Sequence, residues 1–288
     1  MDQSPSAGDK TLSITGTEMA LFKLDFSGKD ISELQDEQSL KEIRSLDVSM
    51  NQFSSLDFID HCPNLIELDI SENQLSQGLD QISKLSFLAY LNLSANIFET
   101  ISGFPALDTL ITLDLSKNHL TTISDLPTLP HLEKLNLSHN SISDIALVSQ
   151  PSLRHLNLSG NLITTLQLPS LPSLRVLDAS HNSIDTIQSF EEDSLPFVWS
   201  CDLSNNSLAS PDALQSLSKL PLLYNLKVES NPLAADDNSH IAPILVILPG
   251  LTSLDEKLIN AKDKVKAELK VNKEKPEEEA NDPNENGE

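Results

Sequence analysis

The sequence predicts an α/β solenoid, in which a curved parallel sheet forms the concave side and short 3₁₀ or helical turns form the convex side. Two observations carry this prediction. The pattern L-x-x-L-x-L-x-x-N-x-L recurs about ten times along the chain, and its middle part alternates aliphatic and polar residues with the period of a β-strand. We therefore expect a repeat array with one continuous core and a C-terminal cap.

An asparagine closes almost every copy of the pattern. The spacing between these asparagines is 21 to 23 residues from Asn51 to Asn182, and it then widens to 24 and 25. The series is Asn51, Asn73, Asn96, Asn118, Asn140, Asn161, Asn182, Asn206 and Asn231, with Lys29 at the same place in a degenerate first copy. Such regular spacing predicts one coil of the solenoid per copy.

The positions within a copy have physical roles. In the copy that ends at Asn118, Leu113 and Leu115 are expected to face the core, and Asp114 between them to face solvent. The turn after each strand is buried between neighbouring coils. Because an asparagine amide both donates and accepts, we expect it to satisfy main-chain groups there that water cannot reach.

Composition and pattern divide the chain into five segments. They are a disordered N-terminal extension (residues 1–11), the repeat array (12–233), a C-terminal cap (234–255), a helical tail (256–272) and a disordered acidic tail (273–288). A cap is needed because an open array exposes an apolar cross-section at its end.

Two helices are predicted after the array. The first begins at about Ser239 and ends at the Pro249-Gly250 pair. Capping-box spacing from Ser253 to Glu256 predicts that the second helix begins there. Its apolar stripe consists of Leu258, Ala261, Val265 and Leu269. This helix packs either on the cap or on a partner.

The charge of the chain limits which classes of partner it can bind, and its cysteine content indicates the redox compartment. The net charge is −24, and residues 1–255 carry 33 acidic against 12 basic residues. An acidic body repels phosphate groups, so we expect no binding to nucleic acid or to a membrane. The first ten residues lack the apolar core of a signal peptide. With two isolated cysteines, Cys62 and Cys201, the sequence favours a soluble protein of a reducing compartment with both thiols free. Cys201 stands where other copies have a core leucine, so we expect it to be buried.

Motifs of catalysis are absent from the sequence. It contains no Gly-rich phosphate loop, no CxxC and no His-x-x-x-His pair. We therefore expect no enzyme activity, no cofactor and no metal site, and look instead for a surface that binds protein.

One candidate surface is the row of outward-facing residues between the two core residues of each strand, here called the aspartate row. It consists of Asp25, Asp47, Asp69, Asn92, Asp114, Asn136, Asn157, Asp178 and Asp202. Two interpretations fit this row equally well. It forms an electronegative groove for a basic segment of a partner, or it serves solubility and hydrogen bonding at the edge of the strands.

A second row, the edge row, contains the residue directly after the first aliphatic residue of each copy. In five consecutive copies it reads Glu133, Arg154, Arg175, Trp199 and Tyr224. Arg, Trp and Tyr are enriched in binding hot spots. The predicted protein-binding surface consists of Lys134, Arg154, His155, Arg175, Trp199, Tyr224, Asp178 and Asp202. The alternative is internal compensation, in which the arginines balance Asp178 and Asp202 and stack on the indole.

The copies of about 22 residues, with Ile or Leu after the asparagine, resemble the intracellular SDS22-like class of leucine-rich repeats. More narrowly, three stretches resemble the radial-spoke leucine-rich-repeat protein of motile cilia and flagella. They are the opening LSITGTEMALFKLDFSGKDISEL, the later DLSNNSLASPDALQSLSKLPLLYNLKVESNP, and the charged tail after LPGLTSLDEKL. The resemblance covers roughly residues 12–275.

The resemblance implies a structural subunit of the axonemal radial spoke, required for motility and bound to other axonemal proteins. It implies a cytoplasmic protein of the cilium or flagellum, with no catalytic residues. A rival hypothesis is a regulatory subunit that, like an SDS22-like protein, binds the catalytic subunit of protein phosphatase 1 on its concave face. A third is an unassigned intracellular adaptor.

Overall fold

The structure is a computed structural model that describes residues 10–12, 19–21, 23–34, 40–235 and 239–274. Over that part, one sheet of twelve strands runs the length of the molecule. Its ten repeat strands are β3 (Lys23–Asp25), β4 (Ser45–Asp47), β5 (Glu67–Asp69), β6 (Tyr90–Asn92), β7 (Thr112–Asp114), β8 (Lys134–Asn136), β9 (His155–Asn157), β11 (Val176–Asp178), β13 (Ser200–Asp202) and β14 (Asn225–Lys227). Neighbouring repeat strands pair in parallel, so the predicted solenoid of ten coils is confirmed.

Two smaller pairs of strands lie outside this sheet. At the N-terminal end, β1 (Lys10–Leu12) and β2 (Met19–Leu21) form an antiparallel pair. Further along, β10 (Thr165–Leu166) and β12 (Thr186–Ile187) form a parallel pair. The predicted disorder of residues 1–11 is wrong for Lys10 and Thr11, which pair with β2, and otherwise falls on residues outside the described ones.

The coils pack through stacked aliphatic side chains. The middle residue of each repeat strand points into the core; Leu68, Leu91 and Leu113, for example, are aligned in adjacent strands and almost completely buried. One contiguous core runs from Leu24 to Ala267. Cys201 takes the place of a core leucine and is buried, as predicted, and both cysteines are free. Burial raises the pKa of the Cys62 thiol to about 12.

Short 3₁₀ helices cover the other side of some coils, as the short apolar segments predict. They are η1 (Asp57–His61), η2 (Leu79–Lys84), η3 (Pro211–Lys219) and η4 (Pro232–Ala234). Their buried residues, such as Ile59 and Ile82, add to the same core. Because i to i+3 hydrogen bonding makes a tight turn, a few residues suffice to reverse the chain toward the next strand.

The asparagines form a second ladder along the array. Asn118 is typical: its Nδ2 donates to the carbonyls of Leu93 (3.0 Å), Leu115 (3.0 Å) and Ser116 (3.2 Å). Its Oδ1 accepts the N–H of Phe98 at 3.1 Å. One side chain thus joins its own turn to the preceding coil, which is the predicted role. Where Lys29 replaces asparagine, its own N–H donates to Oδ1 of Asn51.

The C-terminal cap contains α1 (Ile241–Ile247), the strands β15 (Ser253–Leu254) and β16 (Lys257–Leu258), and α2 (Ala261–Glu274). Helix α1 lies where the first of the two helices was predicted. β15 extends the long sheet by pairing in parallel with β14, and β16 turns back on β15 in antiparallel.

The predicted start of the second helix at Ser253 is wrong. Ser253 and Leu254 continue the sheet, because β14 offers an unpaired edge to the next segment of chain. The helix begins instead after Asn260, whose Oδ1 accepts the N–H groups of Lys262 (2.9 Å) and Asp263 (3.2 Å). The Asp263 carboxylate accepts the N–H of Asn260 at 3.1 Å, so this pair forms the reciprocal cap.

The start of the predicted acidic tail is also shifted. Lys273 and Glu274 belong to α2, and the rest of the predicted disordered segment, residues 275–288, lies outside the described residues. Within the described residues, no helix is long and apolar enough to cross a membrane.

Candidate protein-binding surface

The edge row lies just before the repeat strands, where main-chain hydrogen bonds join it from coil to coil. Arg154 N–H donates to the Glu133 carbonyl (2.8 Å), and Arg175 N–H to that of Arg154 (2.9 Å). Trp199 and Tyr224 continue the series at 3.0 and 3.2 Å. Since adjacent strands lie about 4.8 Å apart, these five residues form a line about 19 Å long. The predicted row is therefore a continuous surface.

The aspartate row faces solvent, but one oxygen of each carboxylate has a structural task. In Asp178, Oδ1 accepts both the N–H (3.0 Å) and the hydroxyl (2.7 Å) of Ser180, and Asp202 does the same with Ser204. These contacts close the turn after the strand. Hydrogen bonding at the edge of the strands is thus confirmed. The second oxygens of Asp69 and Asp114 also accept hydrogen bonds, from the amides of Asn92 and Asn136 at 2.9 Å. The groove interpretation stays open for Asp178 and Asp202.

Lys134, Arg154, His155 and Arg175 form a basic cluster in three neighbouring coils. Arg154 donates to the carboxylate of Glu133 at 3.1 Å. Arg175 is exposed, and among the described residues its guanidinium forms no hydrogen bond or ion pair. Burial lowers the pKa of His155, and the positive charges of Lys134, Arg154 and Arg175 lower it further. The cluster therefore has positive charge available for a partner on an otherwise acidic protein.

We expect replacement of Lys134 by methionine to raise the pKa of His155 toward its ordinary value, because one of the repelling charges is removed. Histidine-resolved NMR titration measures this. The pKa of His155 is lower in the folded state than in the unfolded chain. The free energy of unfolding should therefore decrease as the pH falls below about 6.5, where the unfolded chain begins to take up this proton. Lys117→Met, outside the cluster, is the control. An unchanged pKa in Lys134→Met would contradict this arrangement.

Beside the basic cluster, Trp199 and Tyr224 stack with ring centroids 5.3 Å apart and an interplanar angle of 12°. Trp199 is half-buried and Tyr224 is exposed. The alternative, in which the arginines pair with Asp178 and Asp202 and stack on the indole, is not found among the described residues. The indole stacks on Tyr224 instead, and the nearest cation to Asp202 is Lys227, at 3.9 Å. Two aromatic faces are thus held in place at the open surface.

The structure adds two residues that sequence analysis missed. Phe197 and Leu222 lie two residues before Trp199 and Tyr224, and they are 53% and 49% exposed. In each of these coils an outward apolar residue precedes and follows one buried residue, Val198 or Leu223. This F-V-W and L-L-Y alternation was a usable signal, because core and surface positions alternate there as in a strand. The four side chains make up the apolar end of the surface.

A shallow depression of about 460 Å³ lies on the open face beside the basic cluster. Its lining includes Lys134, His155 and Asp178 together with Thr112 and Val176. Within the part of the chain that the structure describes, no group of three or more His, Cys, Asp or Glu side chains is arranged to hold a metal ion. The surface offers charged and aromatic contacts rather than an enclosed ligand pocket.

Comparison with known families and proteins agrees with this architecture. Residues 108–149 and 151–192 match the family model described as leucine-rich repeats in two copies, and residues 61–77 match a second leucine-rich-repeat model. No curated protein matches the sequence.

Solved structures share the fold. The leucine-rich-repeat domain of APL1 is 25% identical, with a TM-score of 0.61 over 74% of this chain and 56% of that one. TLR13 in a complex with ssRNA13 is 24% identical, with a TM-score of 0.59 over 87% and 41%. YopM from Yersinia enterocolitica is 23% identical, with a TM-score of 0.51 over 73% and 47%.

This chain therefore spans about half the length of these structural relatives or less. Their likeness concerns the fold alone. Together with the matched repeats, it identifies the chain as a leucine-rich-repeat solenoid.

Proposed function

We propose that this chain is a non-catalytic scaffold that binds another protein through the edge row and the open face of its last five coils, which contain β8, β9, β11, β13 and β14. Leucine-rich-repeat proteins generally mediate protein–protein interaction. The observation that carries the proposal is the continuous line of Arg154, Arg175, Trp199 and Tyr224. In it the Arg175 guanidinium, which has no partner among the described residues, stands next to two stacked aromatic rings. These are residue types that dominate binding energy at interfaces.

More narrowly, we propose a structural component of the axonemal radial spoke that is required for ciliary or flagellar motility. The support is the resemblance of the opening, of the segment from Asp202 to Pro232 and of the charged tail to the radial-spoke leucine-rich-repeat protein. The partners are then other radial-spoke proteins, and the location is the axoneme within the cytoplasmic space of the cilium or flagellum.

The second candidate is a regulatory subunit of protein phosphatase 1 that holds the catalytic subunit on its concave face. It is favoured by the SDS22-like repeats and by the position of the charged and aromatic side chains along one open side of the sheet. Both candidates use the same surface and differ in the protein that covers it.

Fractionation of motile ciliated cells separates the two candidates. A radial-spoke component stays with axonemes after detergent extraction and is released only with other spoke proteins. A phosphatase regulator appears in the soluble extract and co-purifies with the phosphatase catalytic subunit. Release of the whole pool by detergent, without spoke proteins, would rule out the radial-spoke proposal. Occurrence of the protein in an organism without cilia or flagella would do the same.

A further inference from the structure

Helix α2 has an apolar stripe that nothing in the described structure covers. Val265 and Leu269 are 54% and 58% exposed, whereas Ala267 is 4% exposed and packs in the core. Val265 and Leu269 are four residues apart, so they lie one above the other on the same face of the helix. Ala267 and Val271 lie on the opposite face at 100° per residue, and that face packs toward the cap.

The start of α2 is fixed by its cap, and its orientation is fixed by the packing of Ala267 and Val271 and by one hydrogen bond to the cap of the array. Asn260 and Asp263 cap its first turn, and Lys264 Nζ donates to the carbonyl of Pro249 at 2.7 Å. Rotating the helix to bury Leu269 would expose Ala267 and break the hydrogen bond from Lys264 to Pro249. The packing of the opposite face therefore keeps the stripe exposed. Helix α2 is docked on the cap, and Val265 and Leu269 remain uncovered in that docked position.

Lysines lie beside this apolar stripe. At 100° per residue, they fall on the sector between the stripe and the packed face. They are Lys262, Lys266, Lys270 and Lys273, all exposed. Within the described chain, none of the four forms a hydrogen bond or ion pair with another side chain. On a protein of net charge −24, this is a positive patch next to exposed apolar area.

We propose that this face of α2, here called the helix face, is a second docking surface, which takes an acidic amphipathic helix of another protein. Such a helix would lay its apolar residues on Val265 and Leu269 and place its carboxylates near Lys266 and Lys270. The stripe follows the helix axis and suits a second helix, because ridges of residues spaced by four interlock. The site is separate from the edge row.

Charge argues against other occupants. A second copy of α2 would bring lysines against lysines, and an anionic bilayer would meet an array with 33 acidic against 12 basic residues in positions 1–255. The chain's own residues 275–288 are acidic but contain no Val, Leu, Ile, Met or aromatic residue that could cover the stripe. A foreign helix that carries both apolar and acidic residues meets both requirements.

Two designed helical peptides test the proposal against the full-length protein. They share one pattern of leucines and carry either glutamate or lysine at the flanking positions. We expect fluorescence anisotropy to show binding of the glutamate peptide, weakened by added salt, and at least tenfold weaker binding of the lysine peptide. Two double variants should each weaken binding of the glutamate peptide by about tenfold. They are Val265→Ser with Leu269→Ser, and Lys266→Glu with Lys270→Glu.

Leu162→Ser is the matched control, because Leu162 is 57% exposed elsewhere on the array and its loss should leave peptide binding unchanged. Trp199→Ala should also leave it unchanged, which separates this site from the edge row. Circular dichroism verifies that each variant is folded. Equal binding of the two peptides, or full affinity in both helix-face variants, would overturn the proposal. So would anionic vesicles binding in preference to the peptide, or self-association of the chain through this face.

Discussion

Replacing Asn118 with alanine should lower the free energy of unfolding by about 3 to 5 kcal/mol, among the largest effects of any single substitution. The Asn118 side chain is 4% exposed and makes four hydrogen bonds to the main chain of two successive coils. Alanine would leave the N–H of Phe98 and carbonyls of the buried turn without this partner. The cost is mainly that of unsatisfied buried groups, which exceeds the value of an exposed hydrogen bond.

Urea unfolding followed by far-ultraviolet circular dichroism measures this loss. Asn64→Ala is the control, because the Asn64 amide donates one exposed hydrogen bond, to the carbonyl of Lys41 at 2.8 Å. That variant should lose about 1 kcal/mol or less. Equal small losses in the two variants would mean that the asparagine ladder does not join the coils.

Trp199→Ala and Arg175→Glu should each weaken partner binding by about 30-fold or more, the effect of losing a hot-spot residue. Trp199 supplies a large ring held by stacking on Tyr224, and Arg175 supplies a guanidinium without a partner in the described chain. Since both side chains lie outside the core, the fold should persist. Loss of the ring stack itself costs only about 0.5 to 1.5 kcal/mol of stability.

Affinity is measured by calorimetry with the protein that fractionation identifies. Arg44→Glu is the matched control: Arg44 lies in the same row, six coils toward the N-terminus, and the charge change is the same. It should leave binding unchanged. If Trp199→Ala and Arg175→Glu both retain full affinity, the edge row is not the binding surface. The proposed function would then require another contact.

Most of the fold could be predicted because each repeat contains the same pattern of aliphatic residues and asparagine. The position of Leu113 between polar neighbours, and of Asn118 five residues later, recurs from coil to coil, so a periodic signal outweighs local ambiguity. The candidate surface was predicted in part. The edge row follows from the same period, which places Arg175, Trp199 and Tyr224 in one line, whereas Phe197 and Leu222 were missed.

The partners of the arginines and of Ser253 could not be predicted. One of the two interpretations of the edge row was that its arginines balance Asp178 and Asp202, but these carboxylates close their own turns on Ser180 and Ser204. Likewise, Ser253 to Glu256 has the spacing of a capping box, yet Ser253 forms a strand because it pairs with the open edge of β14. Both outcomes depend on what lies next to a residue in space, and local spacing does not contain that information.

By itself, the sequence determined the repeat, the inward aliphatic positions, the asparagine ladder and the acidic character of the body, because each depends on residue type and period. Only the tertiary structure decided which faces stay uncovered. It turned Ala267 toward the cap and left Val265 and Leu269 outside, and it stacked Trp199 on Tyr224. The physical reason is that burial and pairing are properties of neighbours, and the neighbours of a side chain exist only once the coils have closed on one another.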